Sequence, residues 1–172
     1  TRKISTPRRP SYRLRSTVPF SAMPPPATVT GTAFDKGLPA NLEAEQFVLG
    51  SILLSDIVFP QVVGVLAAED FHLEKHRRIF ARMVDLYERS EKIEYLTLAN
   101  ELMKHGQLES CDGVAYLSSL TDGLPRFENI DSYVKIVKDK SLLRQLIYTS
   151  QTIMGDCWQS PAEVDDILGR AE

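Results

Sequence analysis

An all-α fold is what this sequence predicts: a compact helical bundle, then a long helix, then a terminal helical hairpin. From Pro39 onward, apolar residues recur at intervals of three and four, the period of one helix face. Residues suited to capping stand where those runs begin and end. No stretch alternates apolar and polar residues as a half-buried strand would.

Residues 1–38 stand outside that pattern. Seven of the ten prolines lie there or at its edge, and Ser and Thr fill much of the rest. Such a segment has too little apolar content to offset the entropy of ordering, so it reads as a disordered basic tail. Its Arg-rich, acid-free first part fits an organellar transit sequence or a nucleic-acid-binding arm. Translated sequence upstream of a start at Met23 is the third and preferred reading, because nothing in the tail repeats or carries a motif.

The helices follow in order. Asn41 is placed to cap the first, with Glu43 and Glu45 near the positive end of its dipole and Leu42, Leu49, Ile52 and Leu53 at helical spacing. A short apolar segment runs from Ile57 to Leu66. The clearest stripe is Leu73, His76, Phe80, Met83 and Tyr87, widened by Ile79 and Leu86. Thr97 is expected to cap a shorter helix holding Leu98, Leu102 and Met103, which Gly106 ends. Val114, Leu117 and Leu120 make another, closed by Asp122-Gly123-Leu124-Pro125.

A long helix is expected from about Ile130 to Trp158. Its apolar positions include Tyr133, Ile136, Val137, Leu142, Leu143, Leu146, Ile147, Ile153 and Met154, more than one face, which predicts burial on two sides. Ser160 and Glu163 have capping-box spacing and Pro161 suits a first helical position, so a last helix with Val164, Ile167 and Leu168 should fold back. The expected division is a tail at 1–38, a globular helical subdomain at 39–128 and a hairpin at 129–172.

Composition narrows the function. Residues 1–38 carry a net charge of +6 and residues 39–172 a net of −9. The folded part is therefore acidic, which argues against a general phosphate-binding surface. Lys75, Arg77 and Arg78, with His76 between them, are its one basic cluster. They are a weak nucleic-acid candidate beside the plainer reading of a solvated face where Glu74 pairs with Arg78. Two separated cysteines, Cys111 and Cys157, read as reduced cytosolic thiols. No apolar run reaches the ~18–20 residues of a membrane span.

Catalytic patterns are absent. No G-x-x-x-x-G-K-[ST] loop is present to cradle nucleotide phosphates, no G-x-S-x-G elbow, and no Cys-His pair. No cofactor is expected for this chain. His72 and His76 have a spacing that can face one metal ion, but a third ligand is wanting, so a structural role is expected and no metal site. The long helix says more. At ~1.5 Å per residue it outruns a domain of this size, and an uncovered apolar face on it usually means another chain.

One run of residues carries a resemblance. Pro39-Ala40-Asn41-Leu42-Glu43-Ala44-Glu45-Gln46, followed by Val48-Leu49-Gly50-Ser51, resembles the opening signature of DnaB-type replicative helicases. The likeness continues in register through Glu69-Asp70-Phe71, His76-Arg77-Arg78-Ile79-Phe80, Thr97-Leu98, Glu101-Leu102, Gly113, Tyr116-Leu117, Leu120, Asn129-Ile130, Tyr133 and Leu143-Arg144. Glu94 departs from a usual Asp, which weakens one cap, and Asp112 replaces a common glycine. A RecA-like motor domain, which would use ATP and magnesium, is expected after Glu172 and is not part of the sequence.

The resemblance implies the amino-terminal collar domain of a bacterial, cytoplasmic, hexameric helicase. Its members pair through terminal hairpins and dock primase, in some lineages also a loader. They meet DNA only through the ring. By matching that hairpin, the implied dimer and partner interface is Tyr133, Ile136, Leu143, Ile147, Met154, Val164, Ile167 and Leu168. The alternative is a DNA-binding accessory module acting through the basic tail and Lys75–Arg78.

Overall fold

A computed structural model describes residues 37–124 and 129–159. Residues 1–36 of the expected tail, Pro125, the turn at Ser160 and the interface candidates Val164, Ile167 and Leu168 fall outside the described residues.

Among the described residues the fold is all-α. The helices are α1 (Leu42–Leu54), α2 (Phe59–Val63), α3 (Glu74–Glu88), α4 (Tyr95–Lys104), α5 (Gly113–Ser119) and α6 (Ile130–Gln159). Short 3-10 turns at Asp56–Val58, Ala68–Asp70 and Glu109–Cys111 join them. No single helix is long and apolar enough to cross a membrane.

Local chemistry fixes the boundaries. Asn41 caps α1 as expected, its side chain accepting the Ala44 N–H at 3.0 Å. Pro60 stands in the first turn of α2, where its missing N–H costs nothing. Thr97 is not the cap of α4. That helix starts three residues earlier with Glu94 as N-cap, and the Thr97 hydroxyl reaches back to accept the Glu94 N–H at 3.0 Å while donating to the Lys92 carbonyl at 2.7 Å. Asp112 has φ of 61°, in the left-handed region that glycine adopts freely and Asp tolerates better than most other residues.

The core gathers Val48, Leu49 and Ile52 of α1, Phe59 and Val62 of α2, Ile79, Phe80, Met83 and Leu86 of α3, and Leu98 and Leu102 of α4. Ile130, Val134 and Val137 of α6 complete it. The first half of α6 thus packs on the same core as α1 to α4, the head, and is buried as far as Arg144.

Within the described residues α6 is buried along one side. Its inner row is Ile130, Val134, Val137, Ser141 and Arg144, and no described residue after Arg144 is buried. Two apolar faces exist, but they serve different stretches of the helix.

Candidate functional site

The candidate site is the outer half of α6, called the arm below. Leu142, Leu143, Leu146, Tyr148 and Met154 are each about half exposed, and Trp158 is 84% exposed. Ile147 and Ile153 are half-buried. At ~100° per residue, Leu142, Leu143, Leu146, Ile147, Ile153, Met154 and Trp158 fall within one arc, roughly opposite the inner row that packs on the head. Tyr148 lies outside that arc and prolongs the inner row. An arc of large apolar side chains facing water costs about 25 cal/mol for each Å² left uncovered.

Of the interface residues expected from sequence, Leu143, Ile147 and Met154 lie together on this arc. Tyr133 and Ile136 pack against the head instead. Tyr133 stacks on Phe47 of α1 with ring centroids 3.8 Å apart, and Ile136 rests on the core.

At the base of the arm lies a polar group that sequence reasoning passed over. Asp70, Ser141 and Arg144 are buried almost completely. The Ser141 hydroxyl donates to Asp70 Oδ1 at 2.6 Å, and Lys138 donates to Asp70 Oδ2 at 2.8 Å. Asp70 Oδ2 also accepts the Ala67 N–H at 2.9 Å. Burial pushes the Asp70 carboxyl up, but the bonds from Lys138, Ser141 and Ala67 outweigh it and hold the group below its ordinary 3.8. Arg144 donates to the Pro39 carbonyl at 2.8 Å and to the Asp70 carbonyl.

A second buried group sits between α1, α3 and α5. Both His76 ring nitrogens are engaged, Nδ1 with Glu45 at 2.6 Å and Nε2 with the Tyr116 hydroxyl at 2.6 Å. Glu45 also accepts the His72 N–H at 2.7 Å. Glu45 therefore does more than complement a helix dipole: it ties α1 to the start of α3. His76 has the structural role expected of it.

The basic cluster is engaged locally. Lys75 pairs with Asp112 at 2.8 Å and lies 3.5 Å from the centre of the Tyr116 ring. Arg77 donates to the Phe71 carbonyl at 2.7 Å, and Arg78 pairs with Glu74 at 3.1 Å. Elsewhere, donor atoms of Asp85, Glu101 and His105 lie within 4.8 Å of one another. Arg82 already neutralises Asp85, and Arg89 and Lys104 neutralise Glu101.

A helical head extended by one long helix, with an apolar arc on its free half, defines the class: a small all-α domain shaped around a protruding arm. The chain belongs to the DnaB-like helicase N terminal domain family, whose model matches residues 37–139. It is 38% identical over 138 residues to the replicative DNA helicase DnaC of Bacillus subtilis, covering 80% of this chain and 30% of that protein. It therefore spans about a third of the length of such relatives. Among solved structures, the N-terminal domain of DnaB helicase from Mycobacterium tuberculosis matches with a TM-score of 0.74 at 34% identity, covering 78% of this chain and 96% of that one. A DnaB-like replicative helicase, described with its interactions with primase, matches with a TM-score of 0.63 at 25% identity, over 77% of this chain and 32% of its own.

Proposed function

We propose that this chain is the amino-terminal collar domain of a hexameric replicative DNA helicase, pairing with copies of itself through its arm and presenting the paired surface to primase. The observation that carries the reading is the apolar arc of the arm, exposed at Leu142, Leu143, Leu146, Met154 and Trp158 and turned away from the inner row that packs on the head. A single chain gains nothing from exposing Leu142, Leu143, Leu146, Met154 and Trp158 together, whereas a second arm laid against them removes that surface from water.

The ATP chemistry belongs elsewhere in the full-length protein. Residues 1–172 hold no G-x-x-x-x-G-K-[ST] loop, so this reading assigns nucleotide turnover to a motor domain and not to this one. ATP and magnesium are the business of a motor domain, DNA is met by the assembled ring, and a loader is a further partner of the assembly. A bacterial, cytoplasmic setting goes with this reading, since the replicative helicases it resembles come from bacteria. Primase as the partner is supported by the similar helicase described with it.

Light scattering tests the pairing. The parent chain is expected to give dimers or larger species at tens of micromolar. Ile147→Asp would strand a carboxylate in a dry contact at a cost of several kcal/mol, leaving monomers with helical content intact. A parent that is already monomeric, or a variant that still pairs, would defeat the arm as the pairing surface.

A further inference from the structure

We propose that Asp70, Lys138, Ser141 and Arg144 form a clamp that fixes the direction in which the arm leaves the head. They are positioning residues for whatever the arm contacts. The proposal rests on the assembly reading for its consequence, while the direction itself is a property of one chain.

Three observations place the clamp at the joint. Arg144 is the last buried residue of α6 within the described residues, so the buried contacts between α6 and the head lie at or before it. Its two guanidinium bonds go to different segments, the Pro39 carbonyl just before α1 and the Asp70 carbonyl just before α3. The Asp70 carboxylate then grips α6 one turn earlier, through Ser141 and Lys138. One helix is thereby held to two separate strips of backbone.

Apolar packing alone would not fix an angle. Ile130, Val134 and Val137 attach α6 to the core, but burial is indifferent to small rotations of a helix on its bed. Hydrogen bonds are directional, and a planar guanidinium bridging two carbonyls tolerates little rotation. The arm beyond Arg144 runs about 22 Å to Gln159 at ~1.5 Å per residue, so a small change of angle at the clamp becomes a large displacement at the tip. Two arms that must meet side by side need that angle defined. Sequence periodicity hid the device, because Ser141 and Arg144 occupy the same row as Val134 and Val137.

Spin-label distance measurement on the full 172-residue chain tests this. Labels are placed at Glu109→Cys on the head and Thr152→Cys on the arm, outside its apolar arc, with both native cysteines changed to Ser. The labelled chain is diluted into an excess of unlabelled chain, so only distances within one chain are read. A narrow distribution is expected for the parent. Ser141→Ala combined with Asp70→Asn, and separately Arg144→Met, are expected to broaden or shift it. Leu98→Ala, a buried change in α4 away from the joint, serves as the control at comparable loss of thermal stability. Unchanged distributions in the clamp variants would overturn the proposal, and so would equal broadening in Leu98→Ala. If Arg144→Met does not fold, the Ser141/Asp70 pair decides. The arms can fail to pair in light scattering while this distance test succeeds, so the two readings fail separately.

Discussion

Gly50 sits inside α1, a position where glycine ordinarily weakens a helix by about 1 kcal/mol relative to alanine. A side chain there would overlap the Leu120 carbonyl oxygen and come within 2.5 Å of a Leu124 methyl group. Close approach of two backbones thus reverses the usual preference. Gly50→Ala is expected to destabilise by about 1–3 kcal/mol, measured by urea unfolding, where an open helix site would gain stability. A neutral or stabilising result would show that α1 and the end of α5 stand further apart than described. Asp70 has a different signature. Its folded carboxyl lies below its unfolded value, so its contribution is whole above pH about 4 and is lost as pH falls through the lower folded value. Asp70→Asn should therefore cost about 1–3 kcal/mol at neutral pH, a gap that closes in acid. A gap independent of pH would mean that the charge is not what matters.

At the scale of elements, α4 shows how a cap can work with an unfavourable residue at the N-cap. Glu94 is a poor N-cap, and the start of the helix leans on the Thr97 hydroxyl accepting the Glu94 N–H. Thr97→Ala should destabilise by about 1 kcal/mol, while Glu94→Asp should stabilise by about 0.5 kcal/mol, both read from thermal melts. If both were silent, α4 would be held by packing of Leu98 and Leu102 alone. The stripe of α3 and the span of α6 were legible in the sequence because a helix repeats its burial every three or four residues. The polar joints were not. Asp70 meets Ser141 from 71 residues away, and Glu45 meets His76 from 31. Periodicity marks a row as buried without naming its partner. For the same reason the sequence showed two apolar faces on α6 but not that the inner one ends at Arg144. Of the expected interface, Leu143, Ile147 and Met154 fell on one arc because all three share its helical phase. Tyr133 lies earlier, where Phe47 claims it.

The whole molecule joins an acidic head to an apolar arm, and that contrast bears on which partner it takes. Residues 39–144 carry a net charge of −5 and residues 39–172 a net of −9, which disfavours nucleic acid at low salt but not a protein with basic or apolar docking helices. In the proposed pairing two arms cover part of the arc, which leaves the rest, with the heads beside it, as the surface to test for a third chain. The carboxy-terminal helical domain of the same organism's primase is the partner to test. Transient contacts of this kind bury limited area, so a micromolar constant is the expectation, on the order of −8 kcal/mol. Titration calorimetry of that primase domain into the chain should give saturable heat, and the Ile147→Asp variant should lose it along with the dimer. Heat retained by a monomeric variant would place the primase contact on the head instead. No heat from an intact dimer would remove primase docking from this domain and leave a pairing module alone.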